Sequence, residues 1–270
     1  MTPIAFIGAG NMNGAIISGL IKQGYDPKQV MVSNPSAEKR LALHQKLGIL
    51  HTNNNLEAAK FADTIVLGVK PHFILDVCSE ISQHLDISNK CFISIAAGCT
   101  VAQMQSALKK PCAIIRTMPN TPSQLGLGVT GLFSADGVNE SQKKVAQTLM
   151  SSVGIIKWLA SEDEIDNIIA VSGSGPAYFF LFMEAMEQQA LALGFSAQES
   201  RELVQQTALG AAQMVVQNQI PISELRAKVT SKGGTTNAAI ESFIADGLPQ
   251  VVTNAMNSAL HRAKEMAQNS

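Results

Sequence analysis

The chain has 270 residues, enough for a full hydrophobic core and more naturally for two domains than for one. With 46% hydrophobic and 15% charged residues, its composition is that of an ordinary soluble globular protein. The net charge of −1 gives no electrostatic reason to expect a nucleic acid or a membrane as a partner. An anionic small molecule would therefore be held by local backbone dipoles and single side chains.

The cysteines carry no signature of a disulfide framework or a metal site. Their positions, which show no Cys-x-x-Cys spacing, are Cys78, Cys91, Cys99 and Cys112. The apolar stretch 3–9 is followed too soon by polar residues to span a membrane, and it lacks the flanks of a signal peptide. We therefore expect a reduced, cytoplasmic protein without a metal.

The first half of the chain alternates short apolar runs with helical patterns, which predicts a mostly parallel sheet with crossover helices. The expected strands are 4–8, 30–33, 64–69, 91–96, 112–116, 131–134 and 155–159, with a weak one at 48–51. The expected helices are 11–22, 37–47, 56–61, 73–84, 101–108 and 140–151. This order predicts an α/β fold.

Beyond Trp158 the pattern becomes helical almost to the C-terminus. We therefore place a domain boundary near residue 160, with an α/β domain at 1–160 and an all-helical domain at 161–270. The later helices are rich in Ala and Met, which suits packing on a second subunit, so we expect a dimer. A helix buried within one chain would show the same pattern.

A glycine loop, Gly8-Ala9-Gly10, joins the first expected strand to the first expected helix. A first glycine permits a tight turn, and a second lets the backbone approach a pyrophosphate. The helix that begins with Asn11 and Met12 adds unpaired amides and a positive dipole end. The pattern usually has Gly or Ala next, whereas this chain has Asn13, whose packing the sequence does not explain. We predict a Rossmann-type dinucleotide-binding domain, although a tight turn without a ligand has the same signature.

The second strand should end about twenty residues past the loop, where an Asp or Glu would bind the ribose 2′-hydroxyl of NAD. This chain has Ser33 and Asn34 there, with Lys39 and Arg40 just beyond. Hydroxyl, amide and cationic groups can hold a 2′-phosphate that a carboxylate would repel. The sequence therefore favours NADP(H), with NAD(H) as the alternative coenzyme. Lys39 and Arg40 also fit a solvated helix face equally well.

Two later strand ends meet the same edge of the expected sheet. One carries Val69, Lys70 and Pro71, and the next carries Ala96 and Ala97 within the small-residue stretch 94–98. Small residues there would leave room for the nicotinamide ribose and ring. Either stretch alone is also typical of a plain strand end, but the stretch 116–122 follows a third strand in register with them.

In the helical half, two glycine-containing stretches precede helices. The stretch 172–177 is as typical of a helix-start loop as of a site. The stretch 230–236 places Gly233 and Gly234 at a helix N-terminus between hydroxyl residues, which is an anion nest suited to a carboxylate. Simple helix capping is the alternative there.

Taken together, these motifs resemble pyrroline-5-carboxylate reductase, the enzyme family of the last step of proline biosynthesis. The resemblance covers nearly the whole chain in the family's order, through the glycine loop and the stretches 69–71, 94–98, 116–122, 172–177 and 229–236. Lys232 stands where many members carry Pro, and Asn13 replaces the usual small residue. The resemblance implies reduction of the cyclic imine 1-pyrroline-5-carboxylate to L-proline with NADPH or NADH.

The resemblance also implies residue roles. Ser231 and the amides of Gly234 and Thr235 would hold the substrate carboxylate, and Gly233 belongs to the same substrate-binding nest. The hydroxyl of Thr236 would hydrogen-bond the ring nitrogen, and Thr236 is the expected catalytic residue.

In the cofactor half, Asn55 resembles a cofactor-contacting Asn, although two neighbouring Asn residues leave its register open. A second subunit would complete the substrate half-site, and dimers of the family often assemble into decamers.

Three alternative functions are compared with this one. A β-hydroxyacid dehydrogenase needs a Lys about four residues past a Gly-x-Gly at a helix start, where this chain has Phe179 and Phe180. Another imine reductase would share the site. A non-enzymatic NADP-responsive binding protein would need no second anion nest.

Overall fold

The computed structural model describes residues 1–268 and divides into two compact units. The first unit comprises Met1–Ser174 together with the C-terminal residues from Ala259 onward, and the second comprises Gly175–Ser258. The first unit is an α/β domain built on one sheet, and the second is helical.

All strands belong to the sheet of the first unit. They are β1 (Ile4–Ile7), β2 (Val30–Ser33), β3 (Leu50–Thr52), β4 (Thr64–Leu67), β5 (Cys91–Ser94), β6 (Ala113–Met118), β7 (Gly128–Ser134) and β8 (Gly154–Trp158). Their spatial order is β3-β2-β1-β4-β5-β6-β7-β8. Every neighbouring pair is parallel except β6 and β7. The predicted mostly parallel Rossmann-type sheet is confirmed.

The α-helices are α1 (Asn11–Lys22), α2 (Ala37–Leu47), α3 (Asn55–Phe61), α4 (Ile74–His84), α5 (Val101–Leu108), α6 (Glu140–Ser151), α7 (Glu164–Ile168), α8 (Gly175–Ala192), α9 (Ala197–Gln217), α10 (Ile222–Lys228), α11 (Thr235–Ala245) and α12 (Leu248–Gln268). Short 3₁₀ helices lie at Pro27–Gln29, Pro71–Phe73 and Thr121–Leu125, and a π-helical turn, Ile169–Gly173, follows α7. Elements this short leave no periodicity in a sequence, so they were not predicted.

The strands that lead to the site are shorter than expected. The predicted strands 64–69 and 91–96 end at Leu67 and Ser94, because the chain leaves the sheet there and forms the loops that follow β4 and β5. In contrast, β7 begins three residues earlier than predicted, at Gly128. The loops therefore lie at the carboxyl edge of the sheet, where Rossmann-type ligands bind.

Helices cover both faces of the sheet. One buried cluster contains Ile16, Leu20 and Leu149 from α1 and α6, and the other contains Ile74 and Ile81 from α4. Because both faces are covered, the central strands are buried along their length rather than on alternate residues. The fully buried β1 is an example.

A buried ion pair joins three segments of this unit. Arg116 on β6 is 3% exposed, and its Nη1 lies 2.8 Å from Oε1 of Glu162. The same Glu162 oxygen accepts a hydrogen bond of 2.8 Å from the backbone N–H of Val101, the first residue of α5. Glu162 therefore fixes the start of α5 against the end of β6.

The second unit leaves many large apolar side chains in solvent. Phe179 on α8 is 71% exposed, and comparable exposure recurs on α8, α9, α11 and α12. The exposed set includes Phe180, Leu181, Leu203, Leu209, Met214, Val216, Phe243, Ile244, Val251 and Val252. Exposed apolar surface of this extent marks an interaction surface.

Within residues 1–268, one helical stretch, Glu164–Ala192, is long and apolar enough to cross a membrane by length and composition. A single helix of this kind is weak evidence, since core helices of soluble proteins meet the same criterion.

We predict that Glu162→Ala lowers the free energy of unfolding by about 3 kcal/mol, because it leaves the Arg116 guanidinium buried without a carboxylate. Glu140→Ala is the matched control: it removes the exposed pair with Lys143 and should cost at most about 0.5 kcal/mol. Urea unfolding at one fixed protein concentration measures both. Equal losses would show that the Arg116–Glu162 pair is not an anchor of the fold.

Candidate active site

The first turn of the Rossmann-type unit accepts only glycine at position 8. Gly8 has a φ of +101°, and a Cβ placed there would lie 2.6 Å from the carbonyl oxygen of Gly68. At Gly10 the nearest atom to such a Cβ is the same oxygen at 3.9 Å. Gly8 is therefore required by the close approach of β1 to the chain after β4, whereas Gly10 keeps the surface above the turn open.

The start of α1 is free to bind an anion. Gly10 is the N-cap residue with extended backbone angles, and no side chain caps the helix. The first amides of a helix have no partner within it, so those of Asn11 and Met12 are available to a ligand. The narrow glycine turn and these amides together fit a dinucleotide pyrophosphate.

The structure explains Asn13. Its side chain is buried, with 1% of the residue exposed, and its Nδ2 donates to the carbonyl oxygens of Gly8 at 2.7 Å and Ile7 at 3.3 Å. A Cβ at Gly68 would lie only 2.3 Å from that nitrogen. Space for the side chain is thus provided by a glycine after β4 instead of a small residue on α1, and the Asn13 amide fixes the Gly8 peptide.

A cavity of about 650 Å³ opens beside the glycine loop. Eight of the predicted cofactor residues line it: Gly8, Ala9, Gly10, Ser33, Asn34, Asn55, Val69 and Lys70. Asn11 lines an adjoining groove, and Lys39 lines both.

The remaining predicted cofactor residues are not on the cavity wall. Met12 packs against the core beneath α1, and Pro71 begins the 3₁₀ helix after Lys70. Ala96 and Ala97 follow β5 at the same carboxyl edge of the sheet. Their contact with a cofactor stays a prediction.

At the end of β2, hydrogen bonds order the polar wall of the cavity. The Ser33 hydroxyl donates to Oδ1 of Asn55 at 2.7 Å, and Oδ1 of Asn34 accepts from the Ala9 amide at 3.1 Å. Arg40 donates from Nη1 to the carbonyl oxygen of Asn34 at 3.2 Å, so its guanidinium braces the β2–α2 turn. Lys39 on this wall is exposed, and Lys70 is a second exposed cation that lines the cavity.

Two of the three consecutive Asn residues occupy different positions at the start of α3. Asn54 is the N-cap of α3, and its Oδ1 accepts from the amides of Leu56 and Glu57. Asn55 is the first residue of the helix and faces the cavity. This is the residue that the sequence analysis assigned to the cofactor.

One wall of the cavity was missed by sequence reasoning. It consists of Gly68 after β4 and of residues on or just before α4, namely Phe73, Asp76, Val77 and Glu80. The spacing 73, 77 and 80 on a helix directly after a strand end was the available signal.

In the second unit, the predicted anion nest is present. Gly233 has a φ of +75°, and Gly234 is the N-cap of α11 with no side-chain cap. The amide of Gly234 donates to the carbonyl oxygen of Ser231 at 3.0 Å. Thr235 and Thr236 begin the helix and are exposed, so their amides have no intrahelical partner. The structure therefore brings all five predicted substrate residues together around one helix N-terminus.

The two remaining motifs, the stretches 116–122 and 172–177, contact each other. Asn120, in the stretch after β6, donates from Nδ2 to the carbonyl oxygen of Ser172 at 2.9 Å and accepts from the Val129 amide at 2.8 Å. Ser172 lies in the π-helical turn ahead of α8. These motifs shape the chain that precedes α8.

Comparison with known proteins yields two family matches. Residues 162–266 match the family described as "Pyrroline-5-carboxylate reductase dimerisation". Residues 3–98 match the family described as "NADP oxidoreductase coenzyme F420-dependent".

Individual relatives match over nearly the full length. The pyrroline-5-carboxylate reductase of Vibrio alginolyticus is 50% identical over 97% of each chain. The structure of a pyrroline-5-carboxylate reductase from Coxiella burnetii has 42% identity and a TM-score of 0.94, covering 98% of each chain. The Plasmodium falciparum pyrroline carboxylate reductase, solved with NADP bound, has 29% identity and a TM-score of 0.86 over 98% of each chain.

We predict that Asn13→Asp weakens NADP⁺ binding by about tenfold or more, because a carboxylate cannot donate to the Gly8 and Ile7 carbonyl groups and would be a buried charge. Asn13→Ala removes the same donors without adding a charge and should lose less. Calorimetric titration with NADP⁺ measures both variants. Wild-type affinity in Asn13→Asp would mean that this side chain does not fix the pyrophosphate turn.

Proposed function

The chain belongs to the pyrroline-5-carboxylate reductase family, and on that premise we propose that it reduces 1-pyrroline-5-carboxylate to L-proline with a nicotinamide cofactor. The observation that carries the proposal is the uncapped N-terminus of α11, with Ser231 and Gly233 beside it, in a chain that also has a dinucleotide cavity. A cyclic imino acid has one carboxylate for such a nest and one C=N bond for a hydride. A cofactor-binding protein without turnover would need only the cavity.

The side chains and amides at α11 account for binding and orientation of the substrate. The Thr235 amide and the Ser231 hydroxyl would hold the carboxylate, and the Gly234 amide would join them by exchanging its 3.0 Å bond to the Ser231 carbonyl oxygen for the ligand. The Thr236 hydroxyl would hydrogen-bond the ring nitrogen. When bound, the nicotinamide supplies the hydride that reduces the imine carbon. The pyrroline nitrogen is basic enough to carry its own proton at least partly near neutral pH, so no strong side-chain acid is required. Positioning then supplies most of the rate.

NADP(H) is the coenzyme that the cavity favours, with NAD(H) as a second coenzyme. The end of β2 presents the hydroxyl and amide of Ser33 and Asn34 where a carboxylate would select NAD. Lys39 on the same wall can pair with a 2′-phosphate, whereas Arg40 is engaged with backbone carbonyl oxygens. We therefore expect a higher kcat/KM with NADPH than with NADH.

The active unit is a homodimer in which the second copy covers the exposed helices of the second unit. Residues such as Phe179 on α8, Val216 on α9 and Val251 on α12 lie on different helices and are all mostly exposed in one chain. Five such dimers would form the decamer that the family resemblance implies. The end of β8 at Trp158 and the dimerisation family match from residue 162 support domains at 1–160 and 161–270. The compact units differ from these bounds: the first extends to Ser174 and includes the residues from Ala259 onward.

A cytoplasmic location is supported by the thiols. All four cysteines are free, and burial raises the pKa of Cys78 and Cys91 to about 12. Neutral, buried thiols of this kind are structural rather than reactive.

The direct test is loss of NADPH absorbance on addition of synthetic 1-pyrroline-5-carboxylate, with proline identified as the product. Thr236→Ala should lower kcat/KM for the imine by about 10- to 100-fold, as expected for a group that orients the reacting atoms. Its NADP⁺ dissociation constant should stay near that of the wild type. Thr236→Ser keeps the hydroxyl and should retain most activity.

Three outcomes would contradict the proposal. These are cofactor binding without turnover of the imine, turnover of a hydroxy acid instead, and an equal loss of NADP⁺ affinity in Thr236→Ala. The last would show that the α11 loop serves the cofactor.

A further inference from the structure

The α4 wall of the dinucleotide cavity combines an apolar surface with a carboxylate. Phe73, Val77 and Glu80 follow one another at helical spacing, and all three line the cavity. Val77 is 7% exposed, whereas Phe73 is 49% exposed and turns part of its ring to solvent. A flat aromatic ligand fits such a surface, because it can pack its face on Val77 and Phe73.

Glu80 lies beyond the groups at the end of β2. The Ser33 hydroxyl donates to Oδ1 of Asn55 at 2.7 Å, and Nδ2 of Asn55 donates to Oε2 of Glu80 at 3.5 Å. The three side chains therefore form a line of hydrogen-bonded groups that runs from the end of β2 to α4. In a Rossmann cofactor site, the ribose lies at the β2 end. Glu80 is the outermost member of that line.

The carboxylate of Glu80 forms no salt bridge with a Lys, Arg or His within residues 1–268, although Lys39 and Lys70 line the same cavity. A negative charge on the wall of a cavity for a polyanionic dinucleotide is unfavourable unless a hydrogen-bond donor of the ligand meets it. An ionised carboxylate only accepts hydrogen bonds, so its ligand partner must be an N–H or O–H group.

We propose that Glu80 is the specificity residue for the adenine base and accepts a hydrogen bond from its exocyclic amino group. The assignment rests on the proposed function, since it requires an adenine dinucleotide in this cavity. Ser33 and Asn55 occupy the ribose end, so the donor that reaches Glu80 comes from the base. The Asn55 amide faces the carboxylate at 3.5 Å, and Phe73 and Val77 would support the ring.

The proposal predicts discrimination against a base without that amino group. In the hypoxanthine analogue of the cofactor, a carbonyl oxygen replaces the amino group and would face the Glu80 carboxylate. Two acceptors then oppose each other, and a site built to bind an N–H rejects an analogue that lacks it. Since Glu80 is exposed, the expected preference for adenine is about tenfold in dissociation constant.

The experiment is calorimetric titration of the full-length protein with NADP⁺ and with nicotinamide hypoxanthine dinucleotide phosphate. Wild type should bind NADP⁺ about tenfold more tightly than the analogue. In Glu80→Gln the ratio should fall to near one, because the Gln amide can donate to the hypoxanthine oxygen as well as accept from the adenine amine. Asp76→Asn removes the same charge from the same wall and should keep the wild-type ratio.

Each other outcome overturns the proposal. An unchanged ratio in Glu80→Gln would show that another group recognises the amino group. An equal change in Asp76→Asn would show that the preference comes from the negative charge of the wall in general and not from Glu80. A uniform loss for both dinucleotides in Glu80→Gln would assign the carboxylate to a ribose hydroxyl. Turnover of the imine by wild type with NADPH tests the proposed function separately, so the two failures are distinguishable.

Discussion

The two units of this chain differ in how much of their apolar surface they bury. In the second unit, α8, α9, α11 and α12 all present large apolar side chains to solvent, and few residues, such as Val204 and Leu225, are buried. Fully burying one such side chain is worth roughly 1.5–3 kcal/mol, so leaving many of them in water is a large unmet driving force. A second copy of the chain, with the same exposed helices, is the simplest partner that meets it. The carboxylate nest at the start of α11 lies in this same unit.

The first unit, in contrast, completes its site with its own side chains. The close approach of Gly8 to Gly68, with the Asn13 amide on the Gly8 carbonyl group, sets the turn on which a pyrophosphate would lie. The pair of Arg116 and Glu162 anchors the neighbouring start of α5. The groups proposed to bind the cofactor are therefore preformed within this unit.

The sequence predicted those parts of the fold and site that depend on local pattern. The strand, glycine loop and helix at the N-terminus are contiguous, and so are Gly233, Gly234 and the start of α11, which is why spacing alone identified them. Asn13 was not explained because the glycine that makes room for it, Gly68, lies far along the chain. The α4 wall was missed for a similar reason: Glu80 matters through its contact with Asn55, which no local pattern shows. The 3₁₀ helices and the π-helical turn are too short to produce a recognisable hydrophobic periodicity in the sequence.

We propose that the substrate half-site is completed only when two chains associate. Sedimentation velocity across a dilution series, with specific activity measured on the same samples, tests it most directly. We predict a dimer or a multiple of dimers, with activity falling in step with the dimer fraction as the assembly dissociates. A compact monomer that keeps full specific activity for reduction of 1-pyrroline-5-carboxylate would contradict the account.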